Sequence, residues 1–111
     1  MSEPDRRKAA NEAVFREVNE RIEGLQREFA LAEHEPLQIV CECDRLDCVE
    51  HLSMALEAYE RLRSDSASFV VVPGHEDPDV ETVVGQAGDY VIVRKHAGAP
   101  REVAEDTDPR T

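Results

Sequence analysis

Cys41-Glu42-Cys43-Asp44-Arg45-Leu46-Asp47-Cys48 places all three cysteines of the chain within eight positions, as a C-x-C-x4-C array. Thiolates are strong ligands for borderline metals, and zinc holds four ligands at tetrahedral corners with sulfur about 2.3 Å from the ion. Neighbouring sulfurs in such a site lie a little under ~4 Å apart, a crowding that thiols without a metal have no reason to adopt. Cysteines two apart on a strand share a face, so Cys41 and Cys43 converge if the chain bends as it leaves a sheet. Asp44 and Asp47 bracket a turn that can return Cys48 to the same point. An odd number of cysteines this close together is a poor disulfide framework and a good ligand set.

Outward from the array, the apolar pattern lays down alternating elements. Leu37 to Cys41 reads as a strand with Leu37, Ile39 and Cys41 on one face. Upstream, Phe15, Val18, Ile22, Leu25, Phe29 and Ala32 recur at 3-4-3-4-3 spacing, the stripe of an amphipathic helix over 9–35, stopped by Pro36. The stripe serves either to pack the helix on its own domain or to meet a partner. Downstream, Ser53 can cap a helix from Met54 to Arg63, with Leu56, Tyr59 and Leu62 inward. Phe69 to Val72 is uniformly apolar, as in a strand covered on both faces. Asp77 and Pro78 can open a short helix burying Val80, Val83 and Val84, closed by Gly85 and Gly88. Tyr90 to Val93 completes the series as a strand. Residues 1–8 and the charged, aperiodic stretch 96–111 read as a disordered N-terminus and a disordered acidic tail around a 36–95 domain.

The expected class is α/β or α+β: a long N-terminal helix, then a small β-α-β-α-β unit with a zinc site at the strand ends. Helical crossovers favour a mainly parallel sheet; an antiparallel third strand at an edge is the α+β alternative. A closed zinc site of Cys41, Cys43 and Cys48 needs a fourth ligand. His51 is near in sequence. His75 is far, but in a parallel sheet the ends of the strands at Cys41 and Val72 share one edge, and Pro73-Gly74 delivers His75 there. A carboxylate, His34 or water are the other options. If water took that place, Glu42, Glu50 or Glu76 would be the candidate base.

Composition narrows the task of such a domain. The chain has 111 residues, 25 acidic against 13 basic, a net charge of -12, and only 41% apolar and 5% aromatic residues. So sparse a core leaves room for a metal to contribute folding free energy. The charge disfavours phosphate backbones and anionic membrane surfaces. Nothing is long and apolar enough for a transmembrane segment, and residues 1–8 lack the apolar stretch of a secretory signal, so a reducing, cytoplasmic setting is expected. The five glycines match no nucleotide-binding fingerprint, and the carboxylates read as a solvated acidic surface.

The array, the helix Leu56-Glu-Ala-Tyr-Glu-Arg-Leu-Arg63 and the element Phe69-Val-Val-Val-Pro-Gly-His75-Glu76 together resemble a group of small, uncharacterised bacterial proteins of high-GC genomes. The resemblance covers about residues 11 to 95 and includes Asn11-Glu-Ala-Val-Phe-Arg-Glu-Val-Asn-Glu20. Ser53-Met-Ala-Leu-Glu57 departs from the Thr-Leu-Glu-Glu start associated with that group. The Pro-Gly-His element accompanies the cysteines there, which implies His75 as their companion; the resemblance implies no activity. The reading is therefore a zinc-binding, non-enzymatic regulatory or interaction module. Its partner is a protein or a second copy, met through Phe15, Val18, Ile22, Leu25 and Phe29. A thiol-based redox or metal sensor, and more remotely a zinc-dependent enzyme, are the alternatives.

Overall fold

Residues Glu3–Glu28 form one 26-residue helix, α1, about 39 Å long at 1.5 Å per residue, and it sets the 43 Å long axis of the molecule. The computed structural model describes residues 2–28 and 35–110. The expected helix positions Phe29 and Ala32, and His34, lie outside the described residues. Helix α1 starts six residues earlier than the apolar stripe suggests, so residues 3–8, expected to be disordered, are helical here. Ser2 supplies the start signal: its Oγ accepts the Asp5 N–H at 3.2 Å, and Glu3 and Asp5 place negative charge on the first turn.

After α1 come strands β1 (Leu37–Val40) and β2 (His51–Met54), helix α2 (Leu56–Arg63), strands β3 (Ser68–Val71), β4 (Glu81–Ala87) and β5 (Tyr90–Lys95), and helix α3 (Ala99–Asp106). The mixed α and β class holds, but the parallel sheet does not. β1 and β2 form a two-stranded antiparallel hairpin, and β3-β5-β4 form a separate antiparallel sheet. Three local readings account for the difference. Ser53 caps no helix; it lies in β2, its hydroxyl donates to Gln38 Oε1, and α2 begins after Ala55 without a side-chain cap. Asp77 and Pro78 do start a turn, in which the Asp77 carbonyl accepts the Val80 and Glu81 N–H groups, but one turn is all that forms. The β-branched residues Thr82, Val83 and Val84 continue it as a strand instead. Gly88, at φ +56°, then makes the Gly88-Asp89 link of a two-residue hairpin, for which Gly-Asp is a standing signal.

The 96–111 stretch, expected to be a disordered acidic tail, carries a helix. Residues 99–106 form α3, which buries Ala104 and presents the Ala104 carbonyl to Arg16 Nη2 at 2.7 Å. Beyond it, Arg110 reaches back to Glu20 and Glu60. Strand β3 lies between two apolar clusters. Val70 joins Leu37, Ile39, Leu52, Met54, Tyr59 and Leu62, whereas Phe69 and Val71 join Cys41, Cys43, Val91, Val93 and Ala104. The uniform burial of β3 expected from its composition follows from this.

Helix α1 does not bury its apolar stripe. Its inward face is Glu12, Arg16, Asn19 and Glu23, all buried, one residue or about 100° around the helix from the stripe. Phe15 and Ile22 are half-buried at the margin, while Val14, Val18 and Leu25 are 55%, 37% and 53% exposed. Each side chain on this buried polar face meets at least one partner, although Arg16 Nε stays unpaired. Arg16 stacks over the Phe69 ring at 4.6 Å and donates to the Ser66 and Ala104 carbonyls. Lys95 Nζ lies 2.5 Å from Glu12 and 2.6 Å from Glu81. One ammonium cannot neutralise two buried carboxylates, and burial holds Glu12 up to about 8 despite Lys95. The expected solvated acidic surface therefore excludes Glu12, Glu23, Glu42 and Glu81.

The most enclosed of these groups is Glu42, with no exposed surface. It accepts from Asn19 Nδ2 at 2.7 Å, Arg63 Nη2 at 2.7 Å and the Val70 N–H at 3.1 Å, joining α1, α2 and β3. Glu42→Ala leaves the Arg63 charge buried without its partner and should cost about 3–5 kcal/mol in urea unfolding. Glu17→Ala, in an exposed helix pair with Arg21, should stay within about 0.5 kcal/mol.

Candidate metal centre

Two chain segments build the site. The first is the connection between β1 and β2, which carries all three cysteines. It is tied at its base by the Cys41 N–H to the Glu50 carbonyl at 3.1 Å, and it folds over at the Cys48 N–H to the Arg45 carbonyl at 3.2 Å. The second is the turn after β3. Val72-Pro73-Gly74-His75 closes with the His75 N–H on the Val72 carbonyl at 2.9 Å. Proline fixes the second position of this turn, and Gly74, at φ +92°, occupies the third, where a side chain would be strained. Arg45 Nη2 to the Gly74 carbonyl at 2.8 Å ties the two segments together.

The result is a cluster. One ligand atom from each of Cys41, Cys43, Cys48 and His75 lies within 4.8 Å of all the others. His75 Nδ1 is 3.6 Å from Cys41 Sγ and 3.6 Å from Cys48 Sγ. Zinc–sulfur and zinc–nitrogen bonds at tetrahedral angles put sulfur and nitrogen about 3.6 Å apart, so these separations match the edge of a tetrahedral site. Cys41 and Cys43 are buried, and Cys48 and His75 are half-buried. Each sulfur also meets one backbone donor: the Val72 N–H on Cys41 at 3.2 Å, Arg45 on Cys43 and Glu50 on Cys48. Such donors stabilise thiolates, as the outer shell of a metal site does.

Crowding divides the protons unevenly among the three thiols. The Cys41 thiol donates to Cys43, which brings Cys43 down to about 5, and the same bond, reinforced by burial, pushes Cys41 up. Burial is the main cause of the upward shift at Cys48. Three adjacent sulfurs hold one negative charge readily and more only beside a cation. The donor set, its distances and its N–H shell all fit a metal ion.

The structure brings together Cys41, Cys43, Cys48 and His75, and leaves His51 and His96 elsewhere. His51 is exposed at the start of β2, opposite Val40 in the hairpin register, and His96 pairs with Thr82. The route to His75 is not a shared edge of parallel strands. β1 and β3 sit in separate sheets, and the cysteine segment lies against β3 through the Glu42 N–H to the Val70 carbonyl at 2.8 Å. Of the candidate bases, Glu42 is sealed against Arg63, Glu50 is exposed, and Glu76 accepts the Gly74 N–H.

Two asparagines with no predicted role hold this loop to α1. Asn19 pairs with both polar atoms of the Val40 backbone, donating to its carbonyl at 2.9 Å and accepting its N–H at 2.8 Å. Asn11, two turns earlier on the same helix, donates to the Cys43 and Arg45 carbonyls. Two asparagines inside a helix, where the residue type is unfavourable, were the signal.

Comparisons of the chain with known protein families, with characterised proteins and with solved structures return no match. The two candidate histidines are separable by substitution. His75→Ala should abolish stoichiometric metal binding by the purified, reduced protein, and His51→Ala should retain it, as read by elemental analysis; the reverse order would break the assignment.

Proposed function

We propose that the chain is a small zinc-binding, non-enzymatic interaction module in which Cys41, Cys43, Cys48 and His75 form a closed structural site. The observation that carries this reading is the convergence of four donors from two separate segments within 4.8 Å of one another. Three thiolates and an imidazole suit zinc, and a four-ligand set of this kind leaves no open position for substrate. The site's role is mechanical. It closes the ten-residue connection 41–50 onto the turn after β3, so that the two apolar clusters meet in one fixed arrangement. The resemblance to small bacterial proteins with a downstream Pro-Gly-His element, and a reducing cytoplasmic setting, belong to the same proposal. No described helix is long and apolar enough to cross a membrane.

Purified under reducing conditions, the protein should carry one zinc per chain, with X-ray absorption showing three sulfurs and one nitrogen around it. Cys43→Ser should lower both the metal content and the melting temperature. A well-folded, metal-free wild-type chain would defeat the proposal. Zinc that stays bound through mild peroxide treatment supports a structural site, whereas release with disulfide formation supports a thiol sensor.

The interaction part rests on the exposed stripe of α1, where Val14, Val18 and Leu25 stand in solvent beside the half-buried Phe15 and Ile22. A protein partner or a second copy covers it. Val18→Glu with Leu25→Glu should leave the melting temperature unchanged and turn any dimer into monomer in sedimentation. A large loss of stability would instead place the stripe inside the chain's own core.

A further inference from the structure

Strand β4 lies at the edge of the three-stranded sheet, paired with β5 on one side and with no described strand on the other. Thr82, Val83, Val84, Gln86 and Ala87 are all exposed, with Val83 at 45% and Val84 at 57%. Soluble proteins guard such edges with lysine, proline, inward charges or a short strand, because the unpaired backbone is a template for another strand. Lysine, proline and inward charge are absent over Thr82-Val83-Val84-Gly85-Gln86-Ala87-Gly88, a charge-free run in a chain that is 34% charged, and the bulge between Val83 and Gly85 is the guard that this run keeps. The start of the edge is also pinned to the end of β5. The His96 N–H bonds the Val80 carbonyl at 2.8 Å, and Thr82 Oγ1 meets His96 Nε2 at 2.9 Å. A strand already ordered costs its ligand less conformational entropy.

We propose that the free edge of β4 takes an extended, basic peptide segment of a partner protein by strand addition. Backbone hydrogen bonds give such binding its affinity, and alternate side chains give it its selectivity. Charge names the occupant. Between residues 64 and 93 there is no Lys or Arg, and there are six carboxylates: Asp65, Glu76, Asp77, Asp79, Glu81 and Asp89. Arg94 engages Asp65, Lys95 engages Glu81, and Lys8 lies 3.8 Å from Asp77. Asp79 then flanks the start of β4, and Asp89 its far end, about 23 Å away at 3.3 Å per residue. A peptide with lysine or arginine at both ends and β-branched residues between them complements this edge. A second copy does not. It would bring the same carboxylates face to face. The surface is separate from both the cysteine cluster and the α1 stripe, so the inference stands without the proposed function.

The test is an NMR titration of the full reduced chain with the peptide Lys-Lys-Val-Thr-Val-Thr-Lys-Lys. Saturable shifts and slowed amide exchange centred on residues 82–87 are expected. Exchanging lysine for glutamate throughout should weaken binding at least about tenfold, and raising the salt should weaken the lysine peptide alone. N-methylation of alternate peptide nitrogens, in the frame that faces β4, should abolish binding with no change to the protein. Binding insensitive to N-methylation, shifts that fall on other elements, or no binding would overturn the proposal. So would concentration-dependent dimerisation of the chain through residues 82–87.

Discussion

Glu42 is where three elements of the molecule are tied to one carboxylate. It sits between two cysteines that face the metal-site side of the chain, and the alternation of an extended backbone turns it the other way, into the interior. There it takes one hydrogen bond each from Asn19 on α1, Arg63 on α2 and the backbone of β3. A buried carboxylate is tolerated only where such partners satisfy it, so the sheets and helices must be placed to supply them. The residue that separates two candidate ligands is thereby the residue that positions the segment carrying them.

The same logic extends along α1. A helix with an apolar stripe ordinarily turns that stripe inward, yet here the inward face is polar. Arg16, Asn19, Glu12 and Glu23 each reach a partner that only the assembled fold provides, from Ser66 to Lys95 to Arg110. Asn11 and Asn19 hold the backbone around the cysteines directly, so the loop at the cluster and the longest helix form one mechanical unit. Beside its small apolar content the interior holds buried charge pairs, Arg63 with Glu42 and Lys95 with Glu12 and Glu81. The stripe on α1 and the uncharged edge of β4 are left on the outside as separate surfaces.

Legibility followed the range of the interaction. The strand from Leu37, the burial of Phe69 to Val71, the inward faces of Tyr59 and Leu62 and the array of cysteines all depend on spacing within a few residues, and each could be read directly. The turn that presents His75 was legible because proline and glycine restrict the backbone wherever they occur. What misled was the use of local signals that two structures share. Asp77-Pro78 opens a helix or a single turn equally well, and only the β-branched run after it, with Gly88-Asp89 beyond, decided for a hairpin. Ser53 fits a cap, but its strand pairing with Gln38 takes precedence. The acidic tail contains a short amphipathic helix whose partners are distant: Ala104 packs with Phe69 and Val71, and its carbonyl accepts from Arg16, 88 residues away in sequence.

By itself the sequence determined the chemistry available: three sulfurs crowded on one loop, an imidazole on a constrained turn, an acidic surface and a mixed α and β chain with little apolar material. Those are properties of residue type and short spacing. Tertiary structure alone decided the antiparallel pairing, the rotation of α1 that buries its polar face, and which carboxylates are interior. The reason is physical: a charged group is stable inside only when a partner arrives from a distant part of the chain, and no local pattern records where that partner will be.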